Sequence, residues 1–283
     1  MSIRIITDSG SDIDQKTAAR WGVTVLPLTV RFGDEEFKDG ITLSADDMYN
    51  RMIENGEIPK TSQVPPFDYE AAFREAVDAG DEVICIALSS GMSGCYQSAV
   101  IAAQQFGDKV SVVDSLNVSS SQYVMVRFAR ALMHMDKSRE EIVRRLEQGR
   151  KHLHVIALPS TLEYVEKGGR IPKSVAKAGS ILNIKPIITS GAEGKVELIG
   201  KGRGTASAYK QFTKLVMKTG GINPRLPVCL AYSGVSDAPI HDFMEAQPEL
   251  FDGLEGNIQF TQIGPTVGTY TGPGAIALGY YSN

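Results

Sequence analysis

The chain is poor in the residues that announce specialised chemistry. Among its 283 residues are three cysteines, four histidines and one tryptophan. Cys85, Cys95 and Cys229 are far apart and form no C-x-x-C pair, so neither a disulfide framework nor a zinc site is indicated. No apolar run approaches the length that crosses a bilayer. Positive charge is not in excess: 29 Lys and Arg against 33 Asp and Glu leave a formal net charge of −4, which argues against nucleic acid or a membrane surface as partner. Signatures of nucleotide binding and of serine hydrolases are missing too. GAEGK (191–195) is too short for a phosphate loop, GKGRG (200–204) lacks the G-x-G-x-x-G spacing, and no serine sits in a G-x-S-x-G elbow.

What remains is the composition of a globular protein, 42% hydrophobic and 22% charged. The opening MSIRIITDSG reads directly as a strand and lacks the apolar core of a signal peptide, so a cytoplasmic, reduced protein is expected. Short β-branched runs such as EVICIAL (82–88) alternate with helical patterns, as in a mostly parallel sheet covered on both faces. Ser11 with Asp14, Ser44 with Asp47 and Ser138 with Glu141 have capping-box spacing and mark helix starts. The run 23–32 reads as one extended segment, and the prolines of PKTSQVPP (59–66) forbid regular structure until Pro66 opens a helix. The expected fold is α/β with two domains. Residues 1–160 form the first, and 161–283 a second with a hairpin closed by GAEGK, a Gly/Thr/Pro loop in IGPTVGTYTGPGA, and a last strand returning to the domain boundary.

Small polar loops follow several strands of the first domain, where open parallel sheets bind ligands. In LSSGMSG (88–94), Ser89, Ser90 and Ser93 supply hydroxyls, Gly91 and Gly94 let a ligand approach the backbone, and a helix N-terminus follows. A helix cap and an anion site are both consistent with that pattern. Thr61, Ser62, Thr266, Thr269 and Thr271 add hydroxyls from elsewhere in the chain. Asp8, directly after the first strand, stands where some phosphotransferases hold a nucleophile or a magnesium ligand. Asp12 reads as a helix-start carboxylate. His152 and His154 alternate on a strand without a third metal ligand in view.

Seven segments in order, ITDSGSDI, KTSQVPP, LSSGMSGCYQSA, VDS, EKGGRI, LNIKPII and IGPTVGTYTGPGA, closely resemble the DegV family of fatty-acid-binding proteins from residue 3 to about 279. The resemblance implies a two-domain, DegV-like α/β carrier. It would hold one long-chain fatty acid with its carboxylate near the domain boundary and its tail in a buried tunnel. No cofactor, metal or catalytic residue is implied. Some members present the carboxylate to the catalytic subunit of a fatty acid kinase. Thr61 and Ser93 match the family's carboxylate-binding hydroxyls, with Ser62, Gly94 and Thr269 beside them. Arg170 and Arg203 match basic positions associated with kinase docking. The chain departs from the family pattern at Tyr270, where His is usual, at Cys95, where Thr is usual, and at Val64 and Pro65. Two other readings stay open, a phosphotransferase or hydrolase centred on Asp8 and a binding protein for a small polar anion.

Overall fold

The computed structural model describes residues 2–177, 183–254 and 256–283. The N-terminal part runs β1 (Ile3–Asp8), α1 (Gln15–Trp21), β2 (Val23–Leu26), β3 (Thr29–Phe32), β4 (Glu35–Lys38), α2 (Ala45–Asn55), β5 (Lys60–Ser62), α3 (Pro66–Asp78), β6 (Glu82–Ala87), α4 (Cys95–Ala103), β7 (Val110–Asp114), α5 (Ser120–Met133) and α6 (Arg139–Gly149). The C-terminal part follows with β8 (Leu153–Leu158), α7 (Glu163–Lys167), α8 (Lys173–Lys177), β9 (Ile184–Ser190), β10 (Val196–Arg203), α9 (Thr205–Lys218), β11 (Val228–Tyr232), α10 (Ala238–Ala246), β12 (Ile258–Gln262), α11 (Pro265–Thr271) and β13 (Ile276–Tyr281).

The apolar runs become a parallel sheet of order β2-β1-β6-β7 because both their faces find cover. Ile5, Ile84 and Val113 turn to α5 and α6, while Ile6, Val83 and Cys85 turn to α3 and α4. A second, mixed sheet has the order β10-β9-β8-β13-β11-β12, and β4-β3-β5 makes a small antiparallel sheet. Helix α5 lies between the two large sheets. Its buried Tyr123, Val124, Met125 and Val126 serve both sides, and a Cβ on Gly279 of β13 would strike the backbone of Ser120. Glycine is required there so that helix and strand can touch.

Several expectations are corrected. The strand at 153–158, assigned to the first domain by the division at residue 160, lies in the second sheet between β9 and β13. The last strand, β13, does return to the boundary between the halves, where Gly279 meets Ser120 of α5, and it is central in the second sheet. The run 23–32 breaks at Pro27 into β2 and β3, which join different sheets. Helix α1 is capped by Asp14, whose Oδ1 accepts from Thr17 N at 2.9 Å, and Ser11 belongs to a preceding 3-10 turn. Residues 60–62, between Pro59 and Pro65, pair with β3 although no regular structure is expected there. The Gly/Thr/Pro segment contains the helix α11. Ser44 and Ser138 do cap α2 and α6.

Candidate ligand-binding site

The loop after β6 is held from below by a buried carboxylate. Asp8 ends β1, and its two oxygens accept from Leu88 N (2.7 Å), Gly10 N (3.1 Å), Gln122 Nε2 (3.2 Å) and Tyr69 Oη (3.3 Å). Burial pushes its carboxyl up to about 6, opposed by those hydrogen bonds. With four protein donors around it and no access to solvent, Asp8 positions the loop and has no exposed oxygen for a nucleophile's or a metal ligand's task. Among the described residues, no group of three or more His, Cys, Asp and Glu is placed to hold a metal. His154 shares a hydrogen bond with Ser282 Oγ at 3.3 Å.

Within the Ser/Gly loop the hydroxyls divide their labour. Ser89 Oγ donates to Gly194 O at 2.6 Å, in the turn joining β9 to β10, so it fastens the two halves of the chain together. Ser90 N is taken by Asp114 Oδ1 at 3.1 Å. Ser93 faces the cavity described below; its Oγ accepts from Cys95 N and lies against Cys95 Sγ, both at 3.3 Å. The backbone of Gly94 opens α4, and a side chain there would collide with Gln63. Burial pushes the Cys95 thiol up to about 12, so this residue is a packed thiol and not a nucleophile.

From the opposite side comes Thr61. In β5 it pairs with Val30, and strand alternation sends its side chain inward while Ser62 faces out and is exposed. Thr61 Oγ1 and Tyr270 Oη share a hydrogen bond of 2.7 Å. Tyr270 arrives on α11. The start of that helix is fixed by two buried carboxylates: Asp12 Oδ1 accepts from Gly264 N at 2.9 Å, and Asp39 Oδ2 from Thr266 N at 3.0 Å. Burial raises both carboxyls above their ordinary range. The Arg170 guanidinium lies 4.7 Å over the Tyr270 ring and is held by Met92 O (3.3 Å) and Gly168 O (2.7 Å). A Cβ on Gly168 would strike that ring.

These groups stand at one cavity. Thr61, Ser93, Tyr270 and Arg170 line it together with an apolar floor from the second sheet, Val155, Ala157, Ile188 and Ala277, and a wall of Ile263 and Val267. The cavity volume is about 90 Å³, several times the roughly 10–15 Å³ needed to hold one water. Three hydroxyls and a guanidinium thus stand over a mostly apolar interior.

The other expected residues lie elsewhere. Thr269 Oγ1 donates to Pro265 O at 2.9 Å within its own helix and does not line the cavity. Thr266 and Thr271 of the same segment do reach its wall. Arg203 is exposed at the end of β10, away from the cavity lining. Asp39 and the buried Ser119, which donates to Asp12 Oδ2 at 2.5 Å, carried no motif that marked them.

The chain matches the DegV family, described as "Uncharacterised protein, DegV family", over residues 2–283 and belongs to it. A DegV domain-containing protein of Deinococcus radiodurans is 32% identical over 282 residues, with 98% of each chain covered. A DegV family protein from Thermus thermophilus, described by its fatty acid binding, superposes with a TM-score of 0.89 at 31% identity over 100% of both chains. The fatty acid kinase (Fak) B3 protein of Streptococcus pneumoniae, loaded with linoleic acid, superposes with a TM-score of 0.85 at 21% identity over 100% of both chains, a likeness of fold alone.

Proposed function

We propose that the protein binds a single long-chain fatty acid. The carboxylate lies at Thr61, Ser93 and Tyr270, and the acyl chain enters the apolar cavity. The observation that carries this reading is the meeting of three hydroxyls from different elements at the edge of a mostly apolar space. A carboxylate leaving water needs hydrogen-bond donors, and hydroxyls supply them. A tail contributes by burial at about 0.8 kcal/mol per methylene, which a small polar anion does not offer. The fatty acid binding of the Thermus thermophilus relative supports the same ligand class.

In this reading the protein is a carrier that does no chemistry of its own and hands the carboxylate to a partner kinase for acyl phosphate formation. Arg170, exposed beside Tyr270, is the residue through which that partner is recognised, with Arg203 as a second basic contact. The test is binding of palmitate to a folded Thr61→Ala/Ser93→Ala double variant. A clear loss of affinity supports the site, and unchanged affinity refutes it.

A further inference from the structure

We propose that Ala277 and Ile188 set the bore of the cavity and restrict it to straight acyl chains, an inference that rests on the fatty-acid reading above. In the ladder, Ile188 of β9 stands opposite Ala157 of β8, and Ala157 stands opposite Ala277 of β13. Residues directly opposite one another share a sheet face, so these three side chains form a row across adjacent strands about 4.8 Å apart. All three line the cavity. The row continues to Ala231 of β11, which is fully buried and lies outside the lining.

The floor therefore crosses the strands from one bulky side chain over two methyl groups and closes before β11. The opposite face of the same strands carries Ile156, Leu278 and Leu230, packed beneath α9 and α10. Large residues are therefore accommodated in this ladder, and on β8 and β13 the small Ala157 and Ala277 stand side by side where the cavity is. Ile263 and Val267 face the floor from above. Any atom added at Ala277 narrows the space, and any atom removed at Ile188 widens it at the other end of the row.

Two variants test this on the full chain, with palmitate, decanoate and a methyl-branched acid of palmitate's carbon number as probes. Ala277→Val keeps a good strand former and is expected to lower palmitate affinity relative to decanoate by about tenfold. Ile188→Ala is expected to raise the affinity for the branched acid relative to palmitate. It reads the same bore in the opposite sense if the valine variant fails to fold. Thr61→Ala serves as the comparison, lowering both straight acids together. Unchanged ratios in the variants overturn the bore assignment while leaving lipid binding intact. A wild-type protein that takes up neither straight acid overturns the fatty-acid reading, and the bore assignment with it.

Discussion

At the scale of single residues, the site is built from hydroxyls, with Arg170 beside them, on elements positioned by buried carboxylates. Removing one hydroxyl, as in Thr61→Ala or Ser93→Ala, is expected to weaken fatty acid binding by about 1–2 kcal/mol, read by calorimetry or fluorescent-lipid displacement, with little change in melting temperature. Asp8 makes a different prediction. Its carboxyl, raised to about 6 by burial, takes up a proton more readily in the folded chain than in the unfolded one. Its contribution is therefore fully present below the unfolded value near 3.8 and is lost as pH rises through about 6. Relative to Asp8→Asn, the wild type is expected to lose on the order of 3 kcal/mol between those limits and to run parallel above them. Denaturant melts across pH check this, and parallel curves throughout would refute it. The motifs exposed Thr61, Ser93 and Arg170 because each sits in a short, distinctive string. Asp39 and Ser119 were hidden because their tasks exist only once distant loops meet.

Elements were legible where the physics is local. Buried runs such as 82–87 and caps such as Ser44 are decided by neighbours in sequence, and the structure forms them as expected. Helix α11 was not legible. Pro, Gly and three Thr within PTVGTYT argue against a helix, and what makes it one is tertiary: Pro265 opens it, and Asp12 and Asp39 take the N–H groups at its start. Strand β5 has three residues and exists because β3 offers it a ladder. Two glycines carry the packing of such elements. At Gly268 a Cβ would meet Met48 Cε and Tyr49 Oη, which holds Ile263 O at 2.9 Å. Gly268→Ala is expected to cost about 1–3 kcal/mol and, by shifting α11, to weaken lipid binding as well. Gly279→Ala pushes α5 from β13 and is expected to destabilise by a similar or larger amount without touching the hydroxyls. Thermal melts paired with lipid binding separate the two effects.

For the whole molecule, the α/β class followed from alternating periodicities, but the division of labour between sheets did not. A strand's own pattern does not reveal which sheet it joins, so β8 was placed with the first sheet although its partners, β9 and β13, come later in the chain. The cavity is the product of that arrangement. The first half supplies Thr61 and Ser93, the second supplies Tyr270, Arg170 and the apolar floor, and Ser89 on Gly194 with Ser190 on Leu116 joins them at the rim. Among the described residues, no helix is long and apolar enough to cross a membrane.

The central claim is that this joint cavity holds one fatty acid. Native mass spectrometry of the purified protein, followed by denaturing lipid extraction, tests it most directly. The account predicts a one-to-one adduct whose extracted mass is that of a long-chain fatty acid. A chain that arrives empty, and remains empty when offered fatty acids, would contradict it.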